Sequence, residues 1–216
     1  MTPTFDLLTA GAVNGALAAQ PGGVSTAMVA LLDTPPAILE RMYAVRRRYD
    51  AVAVGTGTVL IDDPALTSHA VAGGPAPVRV TLDRSGRIPR HARIFDGSAR
   101  TLVGVAASTP PDYLAFLAAR GVEAVAAGHD RIDLAAFAAA LAGRGLPRVL
   151  VEGGGRLNRE LLRLGLVDRI HLTLLPAALD ATAVNLFAGP GEPVRLRLLD
   201  CDRLGDYVFL VYQTIR

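Results

Sequence analysis

Short β-branched runs alternate along the chain with segments whose apolar residues recur at helical spacing, and this alternation constrains the fold more than any other feature. Parallel strands need a crossover, which is usually a helix, so the order predicts an α/β domain: a mainly parallel central sheet with helices on both faces. The predicted strands are Ala51–Gly55, Val78–Leu82, Thr101–Val105, Arg148–Glu152 and Arg169–Leu175. The predicted helices are Pro36–Arg48, Pro111–Arg120, Leu134–Gly143 and Arg156–Leu164.

The last apolar segment, YVFLVYQTI at 207–215, follows a turn at LGD and predicts an antiparallel strand at the edge of the sheet. A chain of 216 residues can bury one sizeable core and is short for two full domains. No shift in composition marks a boundary. We therefore expect a single domain over residues 1–216.

The composition excludes several classes of protein. All 22 basic residues are arginine, so neither Schiff-base catalysis through lysine nor a Walker-type phosphate loop is available. The net charge of +2 is not typical of a nucleic-acid-binding protein, although the sequence pI is about 9.0. Four scattered histidines and one cysteine lack the spacing of a metal site, so we expect no bound metal.

No apolar run approaches the roughly eighteen residues that a membrane span requires. The N-terminal segment MTPTFDLLTAGAVNG lacks the basic region, apolar core and small-residue cleavage site of an export signal. We therefore expect a cytoplasmic protein without a membrane partner.

Three consecutive glycines follow an acid in RVLVEGGGRLNRELL, at 148–162. A phosphate at the carboxyl end of a parallel strand is best held by backbone amides at the start of the next helix. Glycine allows the backbone to approach an oxygen closely. The stretch lacks the third glycine of the common dinucleotide-binding pattern, so a phosphate site and a tight strand-to-helix turn are both compatible with it.

A second glycine segment, AVAVGTGTVLIDDPALTSH at 51–69, carries hydroxyls and bare backbone at a strand end, which suits a nucleotide or a sugar. The acid pair Asp62 and Asp63 before Pro64 is also typical of residues that cap and terminate a turn. Neighbouring side chains in an extended chain face opposite ways, so this pair is not expected to form a general acid/base couple.

Four motifs, VAVGTGTVLIDDPALT, VRVTLDRSGRIP, VLVEGGGRLNRELL and DRIHLTLLP, occur in an order that resembles the reductase domain of the riboflavin-biosynthesis deaminase/reductase and its stand-alone relatives. The resemblance implies a dihydrofolate-reductase-like fold, a homodimer, and NADPH-dependent reduction of the ribose of a phosphoribosylamino-pyrimidine to a ribityl chain. The deaminase signature, H-x-E with a later P-C-x-x-C, is absent from the sequence, so only the reduction is expected.

The resemblance also implies roles for individual residues. Glu152 matches an acid that contacts the substrate and is our candidate catalytic residue, delivering a proton directly or through an ordered water. The implied cofactor-binding residues are Thr58, Asp62, Gly153, Gly154, Gly155, Arg156, Leu157 and Asn158. The implied substrate-binding residues are Asn14, Ser25, Arg46, Leu66, His69 and Glu152.

Two arginine positions support these roles on chemical grounds. A guanidinium offers a phosphate two parallel charged hydrogen bonds, which suits Arg46, whereas Arg47 and Arg48 are interpreted as a solvated helix end. Arg84 follows the strand Val78–Leu82, and either contacts the adenosine 2′-phosphate that distinguishes NADPH from NADH or lies in a plain surface turn.

Three departures from the family pattern leave the substrate open. Asn14 stands where the family has an aspartate, and His69 stands where it has an arginine. The segment QPGGVSTAMVALLDTP at 20–35 lacks the usual aromatic residue near the nicotinamide. Two alternatives therefore remain: a reductase of the same fold that acts on a pterin-like substrate, and a non-catalytic nucleotide-binding protein.

Overall fold

The computed structural model describes residues 3–18, 32–67, 76–179, 184–185 and 192–215. Its strands are β1 Thr4–Ala12, β2 Ala16–Ala18, β3 Ala51–Gly55, β4 Val78–Leu82, β5 Thr101–Val105, β6 Glu123–Ala126, β7 Arg148–Val151, β8 Val167–Leu175, β9 Val184–Asn185, β10 Arg195–Leu204 and β11 Tyr207–Ile215. Its α-helices are α1 Pro36–Ala44, α2 Thr56–Asp62, α3 Pro111–Ala119, α4 Leu134–Ala142 and α5 Gly155–Arg163. Two 3-10 helices span Val45–Arg48 and Arg93–Phe95.

Contacts group the chain into two compact units. The first contains Met1–Thr4 and Arg46–Leu150, and the second contains Phe5–Val45 and Val151–Arg216. The organisation of residues 1–216 as a single domain stays a prediction.

The first unit is built on a parallel sheet. Its strands lie in the order β7-β3-β4-β5-β6, and β3, β4, β5 and β6 pair in parallel, for example through Ala51 with Val78 and Leu102 with Glu123. All of β5 and the first four residues of β3 are buried, as expected for parallel strands with both faces covered. The prediction of a mainly parallel sheet is confirmed.

Local sequence signals explain two helices of this unit. Pro111 occupies the first turn of α3, where its missing N–H has no intrahelical partner to lose. The side chain of Asp133 caps α4, accepting hydrogen bonds from the backbone N–H groups of Ala135 and Ala136 at 2.9 Å.

The second unit combines one parallel and two antiparallel pairings. Strand β1 runs parallel to β8, from Phe5 opposite Val167 to Ala12 opposite Leu175. Strand β11 then pairs antiparallel with β8, and β10 pairs antiparallel with β11. The predicted antiparallel C-terminal edge is therefore confirmed.

The sequence interpretation was wrong in three respects. No helix was predicted in the glycine segment after β3, but helix α2 begins directly after the strand, with Gly55 in an extended conformation at its N-cap. Helix α1 ends at Ala44, and the predicted remainder, Val45–Arg48, is a 3-10 helix. The long strands β1 and β10 and the short strands β2, β6 and β9 were not predicted. Within the described ranges, no helix is long and apolar enough to cross a membrane.

Candidate active site

The end of β7 places an acid directly before the glycine triplet. Glu152 and Gly153 are half-buried, and Gly154 has a φ of 79° and a ψ of 112°. A residue with a side chain rarely adopts this positive φ, so the backbone here requires glycine. Helix α5 begins at the next residue, as the strand-to-helix order of the sequence predicts.

The first turn of α5 presents backbone amides at a helix N-terminus. The amide of Asn158 donates to the carbonyl of Gly154 at 3.1 Å. The backbone amides of Gly155, Arg156 and Leu157 lie before Asn158 in the first turn of the helix. Because the N-cap residue is a glycine, it has no side chain with which to cap them. Arg156 is exposed and Leu157 half-buried. This arrangement can hold an anionic group through backbone N–H groups and the helix dipole.

Asn158 is the most deeply placed polar residue of this segment. Its side chain is 1% exposed, and its Oδ1 atom has no hydrogen-bond partner among the residues that the structure describes. Buried polar atoms are nearly always satisfied, so this oxygen is available to a donor group that lies outside the described chain.

Asn14 lies in an exposed turn between β1 and β2. Its Nδ2 donates to the carbonyl of Leu179 at 2.6 Å, and its Oδ1 accepts from the amide of the same residue at 3.4 Å. An aspartate could accept the second bond but could not donate the first. The amide that departs from the family pattern therefore has a local structural role, and its predicted contact with the substrate stays a prediction.

In the first unit, helix α2 carries two of the predicted cofactor ligands. Thr58 and Asp62 are both half-buried, the latter as the last residue of the helix. At the start of the helix, the hydroxyl of Thr56 donates to the carbonyl of Leu82 and so links the ends of β3 and β4.

Two predicted substrate ligands of the first unit lie on neighbouring pieces of chain. Arg46, in the 3-10 helix after α1, is 9% exposed, and its Nη1 donates to the carbonyl of Thr67 at 3.3 Å. Leu66 is 4% exposed and has a φ of 51°, which is rare for a leucine. The structure thus brings Arg46 next to the residue that follows Leu66.

Arg84 lies in a surface turn at the carboxyl end of β4, and its side chain is exposed. The carboxylate of Asp83, which is 2% exposed, organises this turn by accepting from the backbone N–H groups of Ser85 at 3.3 Å and Ile88 at 2.8 Å. The buried Tyr113 packs beneath the turn, and burial together with the charge of Asp83 raises the pKa of its phenol above the usual range.

The remaining predictions concern two substrate ligands and a metal site. Ser25 and His69 lie outside the described residues. In the part of the chain that is described, no group of three or more histidine, cysteine or carboxylate side chains could hold a metal ion. Sequence reasoning missed Asp83, although an aspartate three residues before a glycine at the end of a strand is a recognisable signal for such a turn.

Comparison with solved structures identifies the class of fold. The dihydrofolate reductase of Enterococcus faecalis, in complex with NADP(H) and RAB-propyl, superposes with a TM-score of 0.55 at 12% identity, covering 99% of both chains. RibD of Acinetobacter baumannii superposes with a TM-score of 0.82 at 26% identity, over 100% of this chain and 59% of that one. The fold is that of the dihydrofolate-reductase-like oxidoreductases, as predicted.

The RibD C-terminal domain profile matches residues 15–210, so the chain belongs to this family. A curated relative from Methanothermobacter thermautotrophicus is 38% identical over 182 residues, which are 81% of this chain and 84% of the relative. That relative is named 2,5-diamino-6-ribosylamino-4(3H)-pyrimidinone 5′-phosphate reductase. The predicted family and the predicted class, an oxidoreductase of riboflavin biosynthesis that acts on a small molecule, are confirmed, and the fold is consistent with a nicotinamide cofactor.

Proposed function

We propose that this chain uses NADPH to reduce the ribosyl group of a 5-phosphoribosylamino-pyrimidine to a ribitylamino group. The observation that carries the proposal is the end of β7, where Glu152 precedes a glycine with a φ of 79° and the start of a helix. Membership of the RibD C-terminal domain family and the name of the curated relative support the substrate class.

The residues at the start of α5 fit a dinucleotide phosphate. Gly154 leaves the amides of the first turn without a capping side chain, and the buried Oδ1 of Asn158 has no partner within the described ranges. In the second unit, the residues that would hold the cofactor are Gly153, Gly154, Gly155, Arg156, Leu157 and Asn158. In the first unit they are Thr58, Asp62 and Arg84.

When bound, NADPH supplies a hydride for C1′ of the opened ribosylamine, and the nitrogen attached to C1′ takes up a proton. The task of the chain is to orient the substrate and to place charge and protons around it. Glu152 contacts the substrate at the end of β7 and provides the proton directly or through an ordered water. Arg46 holds the phosphate of the substrate through its planar guanidinium, and Leu66 contacts the substrate beside it.

We also propose that the protein works as a homodimer. Strand β10 pairs with β11 and, among the described strands, with no other. Its side chains are exposed along its whole length, and they include Leu196, Leu198, Leu199 and Leu204. A long, exposed edge strand rich in leucine is a surface that proteins normally cover, and a second copy of this chain would cover it.

The test of the proposed function is a reduction assay with purified protein. The chain should oxidise NADPH in the presence of 2,5-diamino-6-ribosylamino-4(3H)-pyrimidinone 5′-phosphate, and mass spectrometry should show a product with two added hydrogens. Turnover of a dihydropterin instead would favour a pterin reductase of the same fold. Binding of NADPH without turnover of either substrate would favour a non-catalytic nucleotide-binding protein.

A further inference from the structure

The segment Asp63–Thr67, which follows α2, has an unusual backbone. It contains two of the three non-glycine residues with positive φ in the described ranges, Asp63 at 39° and Leu66 at 51°. Leu66 is also 4% exposed. A leucine keeps such a backbone conformation only where the surrounding structure imposes it, and residues of this kind cluster at functional sites.

Three side chains hold this segment. The carboxylate Oδ1 of Asp63 accepts a hydrogen bond from the backbone N–H of Arg93 at 2.8 Å. The carbonyl of Ala65 accepts from Nη1 of Arg79 at 3.3 Å, and the carbonyl of Thr67 accepts from Nη1 of Arg46 at the same distance. The carbonyls on both sides of Leu66 are therefore bonded to guanidinium groups.

Arg79 is itself held from several directions. It is the second residue of β4, with 0% exposure, and its Nε donates to the hydroxyl of Thr101 at 2.9 Å. Its Nη2 donates to the carbonyl of Ala99 at 2.9 Å, and its Nη1 reaches Asp96 Oδ1 at 2.8 Å. A buried charge needs this complete set of partners. Because the guanidinium is planar, these bonds also fix the direction of Nη1 towards Ala65.

We infer that Asp63 and Arg79 are positioning residues for substrate binding, because they fix the backbone on either side of Leu66 by tying residues 63–67 to residues 93–99. The inference rests on the proposed function, in which Leu66 and Arg46 contact the substrate. Neither Asp63 nor Arg79 touches the substrate; both act through the conformation of the segment.

Asp63 offers a matched pair of variants. In Asp63→Asn the side-chain oxygen can still accept from the Arg93 amide, whereas in Asp63→Ala the bond is lost. We expect Asp63→Ala to raise the KM for the pyrimidine substrate about tenfold, with kcat and the Kd for NADPH unchanged, and Asp63→Asn to restore a KM near that of the parent. Equal KM values for the two variants would overturn the inference.

Asp133→Ala is the control for a loss of stability alone. Asp133 also accepts backbone hydrogen bonds through Oδ1, from the amides of Ala135 and Ala136, but these bonds cap α4 and do not hold residues 63–67. We expect this variant to be destabilised and to keep the parent KM. A rise in its KM equal to that of Asp63→Ala would show a purely structural effect and would overturn the inference.

A second measurement separates this inference from the proposed function. Hydrogen exchange of the protein without ligand, followed by mass spectrometry, should be faster at residues 65–67 in Asp63→Ala and in Arg79→Lys than in the parent, and unchanged in β7. An inactive parent would overturn the proposed function, but this exchange could still be measured. Unchanged exchange at residues 65–67 in Asp63→Ala would overturn the positioning role, whether or not Arg79→Lys folds.

Discussion

The carboxylate of Asp83 accepts a hydrogen bond from the backbone N–H of Ile88, with 2.8 Å between Oδ2 and the nitrogen. The bond closes a turn of six residues, 83–88, after β4, and Gly86, with a φ of 66°, allows the backbone to pass over the ring of Tyr113. Arg84 is exposed at the start of this turn. A long cationic side chain is thus presented from a backbone that is well anchored.

Arg84→Ala should weaken the preference for NADPH over NADH. If Arg84 meets the adenosine 2′-phosphate, the variant loses a charged hydrogen bond that only NADPH can form, which predicts about a tenfold rise in the Kd for NADPH and none for NADH. Titration calorimetry with both cofactors measures the two constants. Arg131→Ala removes another exposed arginine of the same unit and serves as the control. If Arg84→Ala kept the preference for NADPH over NADH, Arg84 would belong to a plain surface turn and would not contact the 2′-phosphate.

Gly154→Val should abolish tight cofactor binding while the protein still folds. A β-branched side chain at a φ of 79° is strained and intrudes on an anion at the start of α5. We expect a loss of about 2 kcal/mol, or about thirtyfold in affinity for NADPH. Gly165→Val is the matched control, because Gly165 has a φ of 64° with open space around it at the other end of α5. If Gly154→Val and Gly165→Val lost the same affinity for NADPH, the glycine triplet would be only a tight turn.

Glu152→Gln should separate cofactor binding from turnover. The amide keeps the shape of the side chain but cannot provide a proton, so we expect kcat to fall by about a hundredfold while the Kd for NADPH is unchanged. Stopped-flow measurements of NADPH oxidation and fluorescence titration of the cofactor give the two values. Glu160→Gln, which breaks the ion pair with Arg163 on α5, should leave both near the parent. A fully active Glu152→Gln would remove Glu152 from the mechanism.

Leu198→Arg should convert the proposed homodimer into a monomer. Leu198 is 50% exposed on β10, and an arginine there would bury a charge in the interface. Light scattering at micromolar concentration should give twice the chain mass for the parent and one chain mass for the variant. Leu164→Arg alters a leucine that is 40% exposed after α5 and should leave the mass unchanged. A monomeric parent would contradict the proposal directly.

Asp96 should make stability depend on pH in the acid range. Hydrogen bonds from Ser98, with the guanidinium of Arg79, lower the pKa of the Asp96 carboxyl to about 2, against the opposing effect of burial. Because the pKa is lower in the folded state, the carboxylate stabilises the protein fully above about pH 4, and the contribution is lost as the pH falls towards 2. Urea unfolding of the parent and Asp96→Ala should therefore differ most near neutral pH and converge in acid. A difference that stays constant with pH would show that the charge of Asp96 has no role.

The sequence was informative where a strand is a short, continuous apolar run. Strands β3, β4 and β5 were predicted with their observed ends, since each is a short β-branched run with turn residues on both sides. Helix α2 was missed because Gly57 and its threonines have low helix propensity, and its helical state depends on the fold around it. Strand β10 was missed because its alternating charged residues do not indicate burial on either face.

Part of the candidate site could be predicted from the sequence and part could not. Glu152 and the glycine triplet could be found from sequence, because their chemistry is contiguous in the chain. The bond between Arg79 and Ala65 could not, because the two residues are separated by 13 others and meet only after β4 is in place. An arginine within the run VRVTL was nevertheless a signal that the strand carries a buried charge with dedicated partners.

The pairing of β1 with β8 has a consequence for synthesis. Phe5 lies opposite Val167 and Ala12 opposite Leu175, so β1 leaves the ribosome long before the strand with which it pairs. Until β8 has been made, Phe5, Leu7 and Leu8, all buried in the folded chain, have no partner strand β8. Such distant pairing slows folding and leaves an apolar strand exposed to other nascent chains, so the yield of active protein should depend on how quickly the residues between β1 and β8 are made.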